Sequence, residues 1–174
     1  MEYGISRLTP IKGCGDMFQE REIILAFVKD IHPPKEKFFI TLYRDDNLNV
    51  VACFTTSQHR VPITPEDARH GVIRKENKPV AYMFEEGYVV GYLPESETPF
   101  SFAKRTFVPF DYCFQSGTLD SFRQRTDNPK VVGVLSKTEF LSLLYAMYRS
   151  PHTNKKYIPL LEKVLKKHSE NRED

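Results

Sequence analysis

Phe38-Phe39-Ile40-Thr41-Leu42-Tyr43, then Arg44-Asp45-Asp46-Asn47-Leu48-Asn49, then Val50-Val51-Ala52-Cys53-Phe54-Thr55 is the stretch on which the fold turns. Its two flanks are strand-sized and rich in β-branched and aromatic residues. The Asp and Asn side chains between them can close Asx turns and tolerate left-handed backbone, so the segment reads as an antiparallel hairpin. Working outward, Ile23–Val28, Val80–Phe84, Tyr88–Tyr92 and Thr106–Phe114 carry the same strand signal. Glu85-Glu86-Gly87 is a short connector whose glycine accepts positive φ, which makes residues 80–92 a second expected hairpin. Pro33, Pro34, Pro62, Pro65, Pro94 and Pro99 fall between strands or at their ends, where a missing N–H does no harm.

The last third changes period. Ser136-Lys137-Thr138-Glu139 has capping-box spacing, in which the Ser hydroxyl accepts from the N–H three residues on and the Glu carboxylate reaches back to the Ser N–H. Phe140, Leu143, Leu144 and Met147 then recur at helical spacing until Ser150-Pro151. A second helix is expected over Tyr157–Lys167, with Ile158, Leu161, Val164 and Leu165 on one side and lysines in its final turns. The expected fold is mainly β with α: one domain over residues 1–174, a strand-rich body at about 12–130 and a helical end at about 136–168. The sheet is expected to be small, antiparallel and strongly curved or barrel-like, with two C-terminal helices over an open end.

Composition narrows the class. Of 174 residues, 40% are hydrophobic and 28% charged, with 13 Phe, 9 Tyr and no Trp, which excludes disordered, collagen-like and coiled-coil chains. A net charge of +2 makes any basic patch a local one. Cys14, Cys53 and Cys113 are widely separated and odd in number, which fits a reducing compartment, so a cytoplasmic location is expected. No apolar run is long enough to cross a bilayer, and the N-terminus lacks the pattern of a secretory signal, so no membrane partner is expected.

The chemistry-bearing motifs are few. HExxH, paired Cys-x-x-Cys, GxGxxG, the P-loop and GxSxG are all absent, so neither a metal site nor a nucleotide or other cofactor is expected. What remains is the polar run Thr55-Thr56-Ser57-Gln58-His59-Arg60. If the strand continued, alternation would set Thr55, Ser57 and His59 on one face and Thr56, Gln58 and Arg60 on the other. Hydroxyls, an imidazole and a guanidinium meeting there would supply an acid or base and an anion clamp. The competing reading is a solvated strand exit. His32-Pro33-Pro34-Lys35-Glu36-Lys37 and Lys104-Arg105 admit the same two readings, phosphate contact or solvated loop. Phe38, Phe39, Tyr43, Phe100, Phe102, Phe107, Phe110, Tyr112 and Phe114 admit two readings, a base-stacking platform or core, and at least two thirds of them are expected in the core.

Gly15-Asp16-Met17-Phe18, a strand, Pro34, the apolar strand Phe38–Leu42 and a strand ending in Thr55-Thr56-Ser57 follow one another in an order that resembles the MazF/PemK toxin family. The resemblance covers about the first 60 residues and, loosely, the remainder. It implies an SH3-like barrel, often dimeric, acting as an endoribonuclease on single-stranded RNA and restrained by an antitoxin. On that footing Thr56 and Ser57 fall where a hydroxyl helps bind the scissile phosphate. The family places an arginine before the proline that opens its second strand, whereas this chain has His32-Pro33-Pro34 there. His32 is then the candidate base and completes a catalytic set with Thr56 and Ser57, while Lys35, Lys37, His59 and Arg60 are candidate substrate-binding groups. The segments 16–34 and 61–78 are longer than the family pattern. The alternative, from a different class, is a non-catalytic barrel serving as a protein-interaction module. A small-molecule enzyme has no named residue behind it.

Overall fold

The structure is a computed structural model that describes residues 17–58 and 63–170. Its elements in chain order are β1 (Glu22–Val28), β2 (Lys35–Arg44), β3 (Asn49–Phe54), β4 (Gly71–Lys75), β5 (Lys78–Phe84), β6 (Val89–Tyr92), β7 (Pro99–Ser101), β8 (Thr106–Pro109), β9 (Phe114–Thr118), α1 (Leu119–Arg125), β10 (Thr126–Leu135), α2 (Lys137–Arg149) and α3 (Ile158–Glu170). The strands form a seven-stranded sheet, β7-β6-β10-β1-β2-β3-β9, and a three-stranded sheet, β4-β5-β8. All pairings are antiparallel, as expected. The two sheets do not close into a barrel, so the topology bears out the mainly β, antiparallel class and does not establish the SH3-like barrel.

The β2–β3 hairpin forms where its sequence places it, with Phe39 opposite Phe54 and Arg44 opposite Val50. Asp45 builds the turn: its Oδ1 accepts from the N–H groups of Asn47 and Asn49, both at 2.9 Å, and its Oδ2 accepts from the Asn49 side chain at 3.0 Å. Those Asn49 bonds hold the Asp45 carboxyl below the usual carboxylate range. The left-handed position is taken by Leu48, at φ 63°, and not by an Asn.

Residues Phe39–Leu42 are all buried because β2 is covered on both faces. Ile40 and Leu42 join a core of Ile23, Tyr82, Phe84, Phe140 and Leu144 that lies against the small sheet and the C-terminal helices. Phe39 points the other way, among Phe18, Ile24, Leu119 and Phe122, under α1.

Four elements lie where the local sequence carries no clear strand or helix pattern. β4 has only Val72 and Ile73 as apolar residues, and it joins β5 through Glu76-Asn77, both at positive φ (52° and 65°), the geometry of a two-residue hairpin loop. β4 also accounts for the length of segment 61–78. β7 is three residues long. α1 starts at Thr118, whose side chain accepts from Ser121 N–H at 3.2 Å. β10 pairs with β1 and β6 despite its Asp127-Asn128-Pro129, and so is an interior strand of the large sheet.

Two expected pairings are corrected. Val80–Tyr92 turns at Glu85-Glu86-Gly87, with Gly87 at φ 70°, yet is no hairpin. Both sides of β5 are taken, by β4 and β8, and Gly87 N–H donates instead to Phe102 O at 3.0 Å, sending β6 into the other sheet. Thr106–Phe114 is likewise not one strand: β8 ends at Pro109, the chain turns back with Cys113 N–H on Pro109 O at 3.0 Å, and Phe114 only opens β9.

Helices α2 and α3 lie as expected. Ser136 Oγ accepts from Glu139 N–H at 3.2 Å, but Ser136 N–H donates to Val90 O, so the return half of the capping box is replaced. The Glu139 carboxylate instead meets His70 Nε2 and accepts from the Tyr82 hydroxyl at 2.9 Å. Glu85 N–H donates to His70 Nδ1 at 3.2 Å, which fixes the ring as the Nε2–H tautomer facing the carboxylate. Tyr88 stacks on the same ring at 3.8 Å. At the far end, Glu20 receives Lys167 at 2.6 Å and His168 at 2.9 Å, tying α3 to the start of β1. No helix among the described residues is long and apolar enough to cross a membrane.

Phe140 is fully buried between α2 and the sheets. Phe140→Ala is expected to cost about 3–5 kcal/mol in urea unfolding, read as a lower midpoint at unchanged slope. Burial, and then the Glu139 charge, raise the Tyr82 phenol above its ordinary 10.0. The unfolded chain releases that proton above about pH 10 while the native state retains it, so stability is full below that pH and falls as pH rises beyond it. Tyr82→Phe is expected to remove this contribution, which for one proton is about 1.4 kcal/mol per pH unit, from unfolding curves recorded between about pH 10 and 12.

Candidate functional site

The site grows from the way β3 ends. Thr55 N–H still donates to Phe38 O at 3.1 Å, as a member of the large sheet. One residue later, Thr56 exchanges both backbone bonds with Phe107 of β8, at 2.9 and 2.8 Å, and so stitches the large sheet to the small one. Thr56 Oγ1 then accepts from Gln58 N–H at 3.1 Å, a local turn that ends any extended run. Strand alternation therefore stops at Thr56 within the described residues: Ser57 and Gln58 sit in an exposed bend. His59 and Arg60 lie outside the described residues, as do Gly15 and Asp16 of the family-like start.

Beside this seam runs the beginning of β2. Lys35 and Lys37 are two residues apart on one strand and share a face. The Lys37 ammonium donates to Thr55 O at 3.3 Å, which fixes the cation against the segment that carries the hydroxyls. Together with Thr55, Thr56 and Gln58 these lysines form a ridge shared by two adjoining hollows.

The first hollow, about 380 Å³, opens toward the segment before β8 and adds Ser57, Lys104 and Glu36 over a floor that includes Phe38 and Phe102. The second, about 260 Å³, opens toward the turn after β8 and adds His32, Ile31, Pro109 and Tyr112. Thr56, Ser57, Lys35 and Lys37 thus meet in one hollow, and His32 stands in the other, across the ridge from Ser57.

Lys104 and Arg105 part company. Lys104 lines the first hollow, whereas Arg105 donates to Glu85 at 2.8 Å and to Pro65 O, pinning the loop that follows the site to the end of β5. That guanidinium holds the Glu85 carboxyl below its ordinary range. Gln58 and Tyr112 enter through tertiary contact. Tyr112 is half exposed, unlike most aromatics in the chain, and no local pattern separates it from the buried ones.

Chemically the ridge offers hydroxyl and ammonium donors to an anion, with three lysines against one glutamate around the first hollow. Among the described residues no group of three His, Cys, Asp or Glu side chains is placed to hold a metal ion. Cys53 and Cys113 are fully buried, which keeps both sulfurs out of the site, and burial pushes the Cys113 thiol up.

Thr56 holds the seam through its backbone, and its hydroxyl makes one turn bond. Thr56→Ala is therefore expected to leave the far-UV circular dichroism unchanged and to lower stability by no more than about 1 kcal/mol in urea unfolding. Compared with known proteins, the chain matches no family model, no curated protein and no solved structure.

Proposed function

We propose that the Thr56 seam binds single-stranded RNA and that the protein is a metal-independent endoribonuclease of the MazF/PemK kind. One observation supports this above the others: two hydroxyls and two lysines share a solvent-lined hollow at the point where β3 leaves its sheet, with an imidazole in the adjoining one. In this reading His32 accepts the proton of a ribose 2′-hydroxyl as its oxygen attacks the neighbouring phosphorus. The O2′–P bond forms, the P–O5′ bond breaks, and the departing 5′-oxygen takes a proton from water. Lys35, Lys37 and the Thr56 hydroxyl neutralise the charge on the phosphorane, the task the family assigns in part to its arginine. The products are a 2′,3′-cyclic phosphate and a 5′-hydroxyl. The partners are single-stranded RNA, an antitoxin-like protein and a second copy of the chain, and the setting is the cytoplasm.

A second reading, the non-catalytic interaction module, is favoured by one feature. A trench between α2 and α3 is lined by Leu141, Tyr145, Tyr148 and Leu165, with Tyr145 48% exposed.

Incubation of the purified protein with single-stranded RNA in EDTA separates the two. The nuclease reading expects cleavage that persists without divalent ions, fails on DNA for want of the 2′-hydroxyl, and falls about 10²–10⁴-fold in His32→Ala. Thr56→Ala is expected to lower cleavage as well. Absence of RNA binding at low salt overturns it. Recovery of a stoichiometric protein partner without nucleic acid then supports the module.

A further inference from the structure

We infer that the two hollows are successive nucleoside subsites, with the phosphodiester between them seated on the Lys35–Thr56 ridge and Tyr112 as the stacking surface of the second. This inference rests on the RNA reading above and specifies the form of ligand the seam accepts.

The argument starts from the shared wall. Five residues border both hollows, and they are the donor-rich ones: Lys35, Lys37, Thr55, Thr56 and Gln58. A charged linker is best held where the two cavities meet, and its uncharged flanks then fall to either side. The first hollow, about 380 Å³, lies near the lower end of the roughly 300–1,000 Å³ seen for small-molecule pockets, and the second, about 260 Å³, lies just below it. Each therefore suits one nucleoside and not a stacked pair.

The ridge also decides between single and double strands. In a helix successive bases stay stacked in parallel and cannot part around a wall, whereas a single strand can splay them. The ligand is thus an unstacked dinucleotide step.

The two sides differ in chemistry. The part of the second hollow that is its own carries Ile31, Pro109 and the 50%-exposed Tyr112 ring, an apolar and flat surface beside His32. Such a surface stacks any base. The first hollow adds Ser57, Lys104 and Glu36, which offer hydrogen-bonding groups to a base edge.

The test uses 2′-fluoro dinucleotides, which lack the attacking hydroxyl, carrying 2-aminopurine at either the 5′ or the 3′ position. The protein has no Trp, so the probe's emission is read directly. The expected result is quenching that depends on Tyr112 at one position only. Tyr112→Leu is expected to remove that quench and weaken binding about tenfold, Tyr112→Phe to keep both, and the matching mononucleotide to bind the wild type at least about tenfold more weakly than the dinucleotide. If dinucleotides bind but Tyr112→Leu changes neither quench nor affinity, or mononucleotides bind equally well, the two-subsite arrangement is overturned while RNA binding stands. If no RNA of any length binds at low salt, both fall together.

Discussion

The pair of backbone hydrogen bonds between Thr56 and Phe107 is the constraint on which the candidate site depends. Without it the polar residues after β3 would be a loose exit from a sheet. With it the chain is clamped between two sheets for one residue, and the side chains on either side of the clamp are held at the rim of a cleft. The Lys37 bond to Thr55 O then brings a cation to the same rim from the neighbouring strand. Backbone pairing positions this site, so its geometry is insulated from changes in the side chains that would do its chemistry.

Legibility in the sequence follows how local each signal is. The β2–β3 hairpin was readable because Asp45 and Asn49 build its turn from within, and α2 because Ser136 caps it three residues away. β10 was not, because Pro129 and four polar residues precede its apolar half and pairing with β1 and β6 makes it a strand. β4 was hidden for the same reason, and its presence denied β5 the partner that local sequence suggested. Whether sheets close is not legible in a single strand, because closure depends on which distant strands compete for one flank.

The site divides along the same line. Thr56, Ser57, Lys35 and Lys37 were legible as polar residues at strand ends, and they converge. Alternation misplaced their facing, since it presumed a strand that the Thr56–Gln58 turn bond ends. Tyr112 could be suspected of no special role from its neighbours, because its exposure is set by the turn between β8 and β9. Glu139 shows the reverse case. Its capping spacing was correct, yet its carboxylate is drawn to His70 and Tyr82, so a residue expected to serve one helix end joins that helix to the small sheet.

Among the described residues the large sheet ends in β7 and β9 and the small one in β4, strands with one row of amide and carbonyl groups that no further strand pairs. Such rows invite a foreign chain to add a strand, the first step toward aggregation. Two of them are defended. β7 has only three residues and begins with Pro99, which cannot donate, and β4 carries Arg74 and Lys75 into solvent, where like charges would confront one another in any self-pairing. An unclosed architecture therefore guards two of its open edges with the same short and charged strands that carry the weakest local signal.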